Sequence, residues 1–444
     1  MSLDVTTVAI VATLVPVAAF SAAREHRRRR RARVAVAQAH ALGLDQPVSL
    51  HPSIDPHRCL GCGGCVTACP EGDILQLVGG RAKLVQAAHC VGHGACRAAC
   101  PNDAITLVFG TATRGVQIPE LTRDYETNVP GLYITGELGG MGLIRNAVSQ
   151  SLQAVAHLAA NLPGPRNGGD FDVAICGGGP AGMAAALACR ERGLTHVVFD
   201  QQGLGGSINH YPRRKLVLTS PVDLPLVGRM PFREVGKEQL LEFWTGVARK
   251  GHIDLRAPER VLEVRQSEGG FRVMTDRGTY TARRVLLSIG RRGTPRALGV
   301  PGENTPKVAY GLLEPERWQS NRVLVVGGGD SAVEAACALA QAGARTTLSY
   351  RNAAFGRIKA PNQVLLGQVS GHGLDVVLES RVRAIEPNHV VLETTRGERR
   401  LDNDQVFILI GGEPPADFLA KSGVRMSWHH GDRAAYSGPG GASR

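Results

Sequence analysis

The sequence of 444 residues predicts an α/β fold with two units in which a strand, a glycine-rich turn and a helix follow one another. A small cysteine-rich α+β unit and an N-terminal transmembrane helix complete the predicted architecture. The first observation is an apolar run that leads into "CGGGPAG" and an alanine-rich helix from residue 171. The second is the same order around "VGGGDSA" from residue 321. The third is that seven of the ten cysteines lie between residues 59 and 100. A chain of this length exceeds one core, so several domains are expected.

The N-terminal segment, residues 5–23, has 19 residues without a charge, which is about the minimum for spanning a bilayer. Residues 21–35 follow with seven arginines and one glutamate, about half of the net charge of +12. Because the positive charges follow the apolar run, the pattern differs from a secretory signal and places the rest of the chain in the cytoplasm. We therefore expect a single-pass anchor in the cytoplasmic membrane. A buried helix or a mis-assigned start is the alternative.

The rest of the chain is only mildly basic and lacks the basic–aromatic interleaving that single-stranded nucleic acid requires, so no nucleic-acid partner is expected. The predicted topology places the cysteines in a reducing compartment. Clustered thiols there indicate metal binding rather than a disulfide scaffold.

Two cysteine frames of equal length, "RCLGCGGCVTACP" and "HCVGHGACRAACP", occupy residues 58–70 and 89–101. The candidate ligands are Cys59, Cys62, Cys65 and Cys69 in the first frame, and Cys90, His93, Cys96 and Cys100 in the second. The pair resembles the two-cluster bacterial ferredoxin module over about fifty residues. A zinc ribbon, which usually has two Cys-x2-Cys knuckles, is the alternative.

The ferredoxin resemblance implies two 4Fe–4S clusters with crossed ligands. Cluster one would take Cys59, Cys62, Cys65 and Cys100, and cluster two Cys69, Cys90, Cys96 and His93. A neutral imidazole in place of an anionic thiolate would raise the potential of cluster two. A three-iron cluster, or a histidine that stands beside the cluster without binding it, is the alternative.

The first glycine turn contains Gly177, Gly179 and Gly182 between a strand and a helix. These glycines permit the turn and let a pyrophosphate approach the helix N-terminus. Asp200 ends the next strand, 18 residues after Gly182, where an acid would hold ribose hydroxyls.

The second glycine turn contains Gly327, Gly329 and Ala332 in the same context. Two such motifs, each after a strand, predict two dinucleotide-binding domains. The strand after the second turn ends in "SYRNAAFGRIK", which has no acid but offers Arg351 and Arg357. This favours a 2′-phosphate, and hence NADPH over NADH. A solvated basic loop is the alternative.

Residues 171–425 resemble the thioredoxin-reductase-like flavoproteins. The stretch "VLLSIGRRGTPRALGVPGE", residues 285–303, is similar to their crossover between domains, with Gly290 near the flavin. "GLGGS", which includes Gly206, is similar to their flavin-contacting loop, and Glu334 matches a helix position that reaches the nicotinamide. The resemblance implies Rossmann-like domains that bind FAD and NAD(P)H.

One departure from that family is the lack of a Cys-x-x-Cys before the second turn. The isolated cysteines Cys176, Cys189 and Cys337 are interpreted as core residues. Dithiol exchange is therefore not expected, and the resemblance is closer to bacillithiol-disulfide-reductase-like proteins and to ferredoxin–NADP reductases of this fold.

A second departure concerns the position of the flavin-closing motif, which normally lies at the end of such proteins. The stretch that is similar to it here is residues 127–160, which precede the first glycine turn. We infer a circular permutation, which is tolerated where termini lie at the surface. The matching positions are Gly136, Glu137, Arg145, Asn146 and Ala147. An unrelated glycine-rich helix is the alternative.

The expected boundaries run in chain order. They are 1–35 for the anchor and basic stop-transfer, 36–56 for a linker, 57–110 for the ferredoxin-like domain, 111–162 for the permuted flavin-closing segment, 171–300 with 401–430 for the FAD-binding domain, and 301–400 for the NAD(P)H-binding domain.

The expected function is a membrane-anchored oxidoreductase that passes electrons between NADPH, FAD and the clusters, to or from a small-molecule or protein partner. No side-chain acid or nucleophile is required. A homodimer is compatible with the resemblance. The alternatives are reduction of a low-molecular-weight disulfide or quinone at the flavin, and a redox sensor without turnover.

Overall fold

The computed structural model divides into two compact units between residues 108 and 109. The structure describes residues 5–433 apart from 42–45, 48–49, 73, 114, 141, 163, 165–168, 212, 214, 292–293, 357 and 414. One expected site residue, Arg357, lies outside the described residues.

The first unit is a small α+β domain. Its elements are α1 (Val5–Ala41), β1 (His51–Ile54), α2 (Gly64–Ala68), β2 (Leu75–Val78), β3 (Arg81–Leu84), the 3-10 turn Ala87–His89, α3 (Ala95–Ala98) and β4 (Ile105–Phe109). β1 pairs with β4 and β2 with β3, both antiparallel. The short helices α2 and α3 each follow a left-handed glycine, Gly63 at φ 80° and Gly94 at φ 77°. The same backbone geometry thus recurs in both cysteine frames.

Helix α1 continues through the arginine-rich run, and its last turns belong to the first unit. Val36 and Ala39 pack with Val85 and Ala88 in a small apolar cluster. The expected linker at 36–56 is therefore corrected, because its first residues, up to Ala41, are helical and docked.

The expected membrane span is also corrected. Among the residues whose side chains the structure describes, no helix is long and apolar enough to cross a membrane. The described part of α1 mixes apolar side chains with the arginine run, while the side chains of residues 5–13 lie outside the described ones. The prediction of a cytoplasmic-membrane protein with a single-pass anchor is withdrawn on this finding.

The first half of the second unit surrounds one mixed sheet. Its elements are β5 (Val116–Pro119), β6 (Leu132–Ile134), a 3-10 turn (Gly136–Gly139), α4 (Ile144–Ala160), β7 (Phe171–Cys176), α5 (Pro180–Glu191), β8 (His196–Phe199), a 3-10 turn (Gly206–His210), β9 (Leu216–Leu218), β10 (Val222–Leu224), β11 (Gly228–Met230), β12 (Glu234–Gly236), α6 (Lys237–Lys250), β13 (Leu255–Arg256), β14 (Val261–Ser267), β15 (Gly270–Thr275) and β16 (Thr279–Leu287). The strand order is β13-β8-β7-β16-β15-β14.

Strand β16 organises this sheet because three strands pair with it. β7 runs parallel along one edge, while β15 pairs antiparallel with its first half on the other edge. On the same edge, where the pairing with β15 has ended, β6 runs parallel to the second half of β16, with Leu132 opposite Val285. Helix α4, which follows β6, packs against α5. Residues 132–160 are thus an integral layer of the first sheet.

The second half of the unit surrounds a parallel sheet in the order β18-β25-β19-β20-β21. Its elements are β17 (Thr294–Pro295), β18 (Val308–Ala309), a 3-10 turn (Pro315–Trp318), β19 (Arg322–Val326), α7 (Asp330–Gln341), β20 (Arg345–Ser349), α8 (Ala360–Val369), β21 (Leu374–Val377), β22 (Arg381–Ile385), β23 (His389–Thr394), β24 (Gly397–Asp402), β25 (Gln405–Ile408) and β26 (Gly412–Glu413). The described part of the chain then continues with α9 (Ala416–Lys421), β27 (Met426–His429) and β28 (Asp432–Arg433).

The boundary between the two halves differs from the expected one near residue 401. Strand β25 lies between β18 and β19 in the second sheet, where its apolar residues Val406, Phe407 and Ile408 are buried. The chain returns to the first half only at α9, where Leu419 and Val424 join the core around the first sheet. The expected FAD-binding domain includes residues 401–430. That assignment is corrected for β25, which belongs to the second sheet.

Candidate functional site

The first glycine turn is a tight cradle between β7 and α5. Gly177 has φ 115°, and a Cβ there would lie 2.4 Å from the carbonyl oxygen of Ser288. A Cβ on Gly182 would lie 1.9 Å from the carbonyl oxygen of Gly177. Both positions therefore exclude any side chain. Ser288, which the motif does not predict, donates its hydroxyl to the carbonyls of Cys176 and Gly177 at 3.0 and 3.1 Å.

Asp200 lies beside this turn at the end of β8. Its Oδ2 accepts the N–H of Gly178 at 2.7 Å, and its Oδ1 accepts the N–H groups of Gln202 and Gly203 at 2.8 Å each. Three donors hold the carboxylate in one orientation. The expected ribose acid is therefore next to the glycine turn.

The loop at 203–207 covers the same turn. The N–H of Gly205 donates to the carbonyl of Gly178 at 2.9 Å. A Cβ on Gly206 would lie 3.1 Å from the Cα of Gly179, so the two backbones are in close contact. Gly290, at φ 67°, lies near the hydroxyl of Ser207. The structure thus brings these expected site residues together.

The segment after β6 reaches the start of α5. Gly136 has φ 82°, and a Cβ there would lie 3.3 Å from Ala181 and 3.8 Å from Ala147. The N–H of Gly136 donates to Gln150 Oε1 at 2.7 Å, while the buried Gln150 Nε2 has no partner among the described residues. Asn146 is buried, whereas Glu137 and Arg145 are exposed.

The second glycine turn repeats this geometry between β19 and α7. Gly327 has φ 146°, and a Cβ there would lie 2.4 Å from the carbonyl oxygen of Leu409. A Cβ on Gly329 would meet no atom within 4 Å, so this side of the turn is open. The ring of Tyr350 lies on the backbone of Gly328, a contact that the motif does not predict. Arg351 follows it and is exposed.

Glu334 lies one turn into α7, next to the buried Ala332, and is held by two side chains. Lys215 Nζ donates to Glu334 Oε2 at 2.6 Å, and Asn362 Nδ2 donates to Oε1 at 3.1 Å. Lys215 comes from the first half of the unit, 119 positions away in the chain. Sequence reasoning missed it, because a local motif does not report a contact at that separation.

The four cysteines expected at cluster one line one cavity in the first unit. Cys59, Cys62, Cys65 and Cys100 share its wall with apolar residues, including Ile54 and Ile105. Burial and the neighbouring thiolates of Cys59 and Cys100 raise the pKa of Cys65. Assembled thiols therefore repel one another as anions, and a bound cationic iron centre would relieve that repulsion.

The second set lies together as well. Burial, and then the charges of Cys90 and Cys69, raise the pKa of Cys96 to about 12. Burial, with Cys69 and Glu71 nearby, raises the pKa of Cys90 to about 11. His93 Nε2 lies 3.5 Å from Glu71 Oε1, and both side chains are largely buried. Glu71, two residues after Cys69, is a neighbour that the cysteine frame does not predict.

No group of three or more histidine, cysteine or acidic side chains among the described residues is arranged for a single metal ion. The other three cysteines are buried singly, and burial raises the pKa of Cys176 and of Cys189 to about 12 and that of Cys337 to about 11. Thiols of this kind are poor nucleophiles. They match the expected core role.

The residues present fit the groups that the motifs imply. Both turns are tight at their first glycine, Gly177 or Gly327, and carry a glycine, Gly179 or Gly329, directly before the helix N-terminus that a pyrophosphate has to approach. The orphaned amide of Gln150 offers a buried donor beside the first turn. The cysteine sets supply thiolate donors, the ligands that iron–sulfur clusters use.

Comparisons with known proteins place the chain in a family. Residues 174–437 match the model described as pyridine nucleotide-disulphide oxidoreductase, and residues 51–101 match a 4Fe-4S dicluster domain. The chain therefore belongs to the pyridine nucleotide-disulphide oxidoreductase family. It is an NAD(P)H-dependent FAD oxidoreductase with an N-terminal iron–sulfur domain, as expected.

Individual relatives are similar over more than half of the chain. A bacilliredoxin reductase from Bacillus subtilis is 30% identical over 57% of this chain and 80% of its own length. A ferredoxin–NADP reductase from Ignicoccus hospitalis is 28% identical over 57% of this chain and 82% of its own. The solved bacillithiol disulfide reductase from Staphylococcus aureus has a TM-score of 0.53 and 26% identity, covering 57% of this chain and 80% of that one.

Proposed function

We propose that this chain passes electrons between NADPH, FAD and two 4Fe–4S clusters, to or from an acceptor that is a small molecule or a protein. One observation carries the proposal. The four cysteines expected at cluster one line a single cavity in a chain whose other unit belongs to a nicotinamide–flavin family. The similarity to ferredoxin–NADP reductases supports an iron–sulfur partner for the flavin.

A flavin exchanges an electron pair with a nicotinamide and single electrons with iron–sulfur clusters, so this combination of groups is chemically coherent. The protein supplies position and electrostatics. Gly177, Gly179 and Gly182 would admit the FAD pyrophosphate to the start of α5, and Asp200 would hold the ribose. Gly206, Gly290 and the segment from Gly136 to Ala147 would enclose the flavin.

The second turn would bind the nicotinamide nucleotide in the same way. Gly327, Gly329 and Ala332 would admit the pyrophosphate, and Glu334 would face the nicotinamide. The exposed Arg351 supports a preference for NADPH, because its guanidinium is available to a 2′-phosphate.

We further propose that cluster two takes Cys69, Cys90, Cys96 and His93. The contact between His93 Nε2 and Glu71 supports ligation through Nδ1, because a metal-bound histidine usually donates its other ring N–H to a carboxylate or carbonyl.

Circular permutation is part of the proposal. The parallel pairing of β6 with β16 and the contact of Gly136 with Ala181 support residues 127–160 as the displaced flavin-closing segment.

The decisive experiment is an anaerobic NADPH titration of the full-length protein, followed by visible absorbance and electron paramagnetic resonance. We expect flavin bleaching and reduced-cluster signals to develop together. Flavin bleaching with permanently oxidised clusters would refute the electron path. It would favour the second candidate, reduction of a low-molecular-weight disulfide, which the similarity to bacillithiol disulfide reductases supports.

A further inference from the structure

An ion pair joins the two halves of the second unit. Lys215 precedes β9 in the first half, and Glu334 lies on α7 in the second half. Their Nζ and Oε2 atoms are 2.6 Å apart, and each side chain is 24% exposed. At that distance and burial the contact is a charge-assisted hydrogen bond with limited screening by solvent.

Lys215 is fixed at its own end. Its carbonyl accepts the N–H of Lys237, the first residue of α6, at 2.9 Å. Its ammonium lies 5.3 Å from the centre of the Tyr211 ring, within the range of a cation–π contact. The lysine therefore approaches Glu334 from a defined direction.

Glu334 is in turn connected to the second glycine turn. Asn362, which holds Glu334 Oε1, also donates to Asp330 Oδ1 at 2.7 Å. Asp330 begins α7 directly after Gly329, and the same Oδ1 accepts the N–H of Lys359 at 2.8 Å. A continuous chain of hydrogen bonds thus runs from the first half to the start of α7.

We propose that Lys215 is a positioning residue, which fixes Glu334 and the start of α7 against the flavin-binding half so that nicotinamide and flavin meet in register. This inference rests on the proposed function. A rotation of either half would separate Nζ from Oε2, so the pair favours one relative orientation. Small changes in orientation strongly affect transfer between two bound groups.

The test uses the full-length, FAD-loaded protein. Lys215→Met removes the charge and keeps an unbranched side chain of similar length, and Lys215→Arg keeps the charge. Glu334→Gln removes the other partner. Arg213→Met is the matched control, because Arg213 is an exposed cation in the same segment.

Anaerobic stopped-flow mixing with NADPH gives the rate constant of flavin bleaching and its dependence on NADPH concentration. Amide hydrogen exchange reports on residues 206–218 and 330–341.

We expect Lys215→Met and Glu334→Gln to slow flavin bleaching at saturating NADPH by about tenfold, with less than about a threefold change in half-saturation. Lys215→Arg should recover most of the rate, and Arg213→Met should match the wild type. Exchange should accelerate in both segments of Lys215→Met. The inference would be overturned if Lys215→Met kept the wild-type rates of flavin bleaching and amide exchange. It would also be overturned if Arg213→Met slowed flavin bleaching as much as Lys215→Met does.

Failure of the proposed function gives a different result. In the wild type, the flavin would then bleach while the clusters stay oxidised, or it would stay oxidised with both NADPH and NADH. The exchange comparison still decides the role of Lys215 in that case. Faster exchange in Lys215→Met alone supports the positioning role, and unchanged exchange refutes it.

Discussion

His93 and Glu71 face each other beside the second cysteine set, with Nε2 and Oε1 3.5 Å apart. An imidazole with a carboxylate at one nitrogen is oriented to use the other as a ligand. We therefore expect His93→Cys to retain iron and to lower the potential of cluster two by roughly 100 mV, because an anionic thiolate replaces a neutral ring. Redox titration monitored by electron paramagnetic resonance measures this. His57→Ala, an exposed histidine in the same unit, is the control. An unchanged potential in His93→Cys would count against ligation.

The first glycine turn gives a prediction on FAD retention. Gly182→Ala forces a Cβ toward the carbonyl of Gly177, so the turn has to open and the cradle is lost. We expect the purified variant to hold less than about a tenth of the wild-type FAD. Gly246→Ala, at a helical glycine in α6 with no atom within 4 Å of an added Cβ, is the control for glycine substitution. Full flavin content in Gly182→Ala would show that FAD binds elsewhere.

Arg351 gives a prediction on nucleotide specificity. Removing its guanidinium in Arg351→Ala should lower kcat/KM for NADPH by roughly tenfold and leave that for NADH nearly unchanged. Steady-state kinetics with an artificial dye acceptor and both nucleotides measure the ratio. Arg345→Ala, an exposed arginine at the opposite end of β20, provides the comparison. Equal losses with both nucleotides would remove the case for a 2′-phosphate contact.

A buried carboxylate near the connection between the halves gives a stability prediction. Glu303 Oε1 accepts the N–H of Leu298 at 2.7 Å and the hydroxyl of Tyr310 at 2.9 Å. Burial raises the pKa of Glu303, but these hydrogen bonds outweigh burial and hold it below the ordinary 4.5. The stabilisation is therefore present above pH 4.5 and is lost as the pH falls through the folded pKa.

Glu303→Gln should consequently lower the free energy of unfolding by about 1–3 kcal/mol at neutral pH, since the amide nitrogen cannot accept the N–H of Gly299, which Oε2 accepts at 2.7 Å. The difference from the wild type should shrink once the pH falls below 4.5. Denaturant unfolding at several pH values measures it, with the exposed Glu268→Gln as a control. A pH-independent difference would contradict the carboxylate argument.

The proposed permutation gives a prediction on chain order. A variant with residues 111–162 moved behind residue 433 should fold and bind FAD as the natural order does, because β6 and α4 can reach β16 and α5 from either end. Flavin content and the visible spectrum test this. A shuffled 111–162 sequence in the same position is the control. Failure of the reordered chain to bind FAD, with the first unit intact, would count against permutation.

Positions governed by backbone sterics were predictable from the sequence. Gly177 and Gly327 both have positive φ and leave no room for a Cβ, so a short motif specifies them. Lys215 and Tyr350 were not predictable, because each owes its place to contacts between elements distant in sequence. The end of α1 was missed for a similar reason: Val36 and Ala39 are helical where they meet Val85. Local composition alone resembled a linker.

The pairing of β6 with β16 has a consequence for synthesis of the chain. Leu132 leaves the ribosome well before Val285, its partner. At ordinary elongation rates the intervening stretch of about 150 residues takes roughly 8–30 s to make. The nascent segment at β6 therefore waits without its partner strand, while residues 1–108 have already been made. Insertion of iron and sulfide can precede closure of the flavin pocket, and a chaperone that shields this segment would raise the yield of protein carrying both groups.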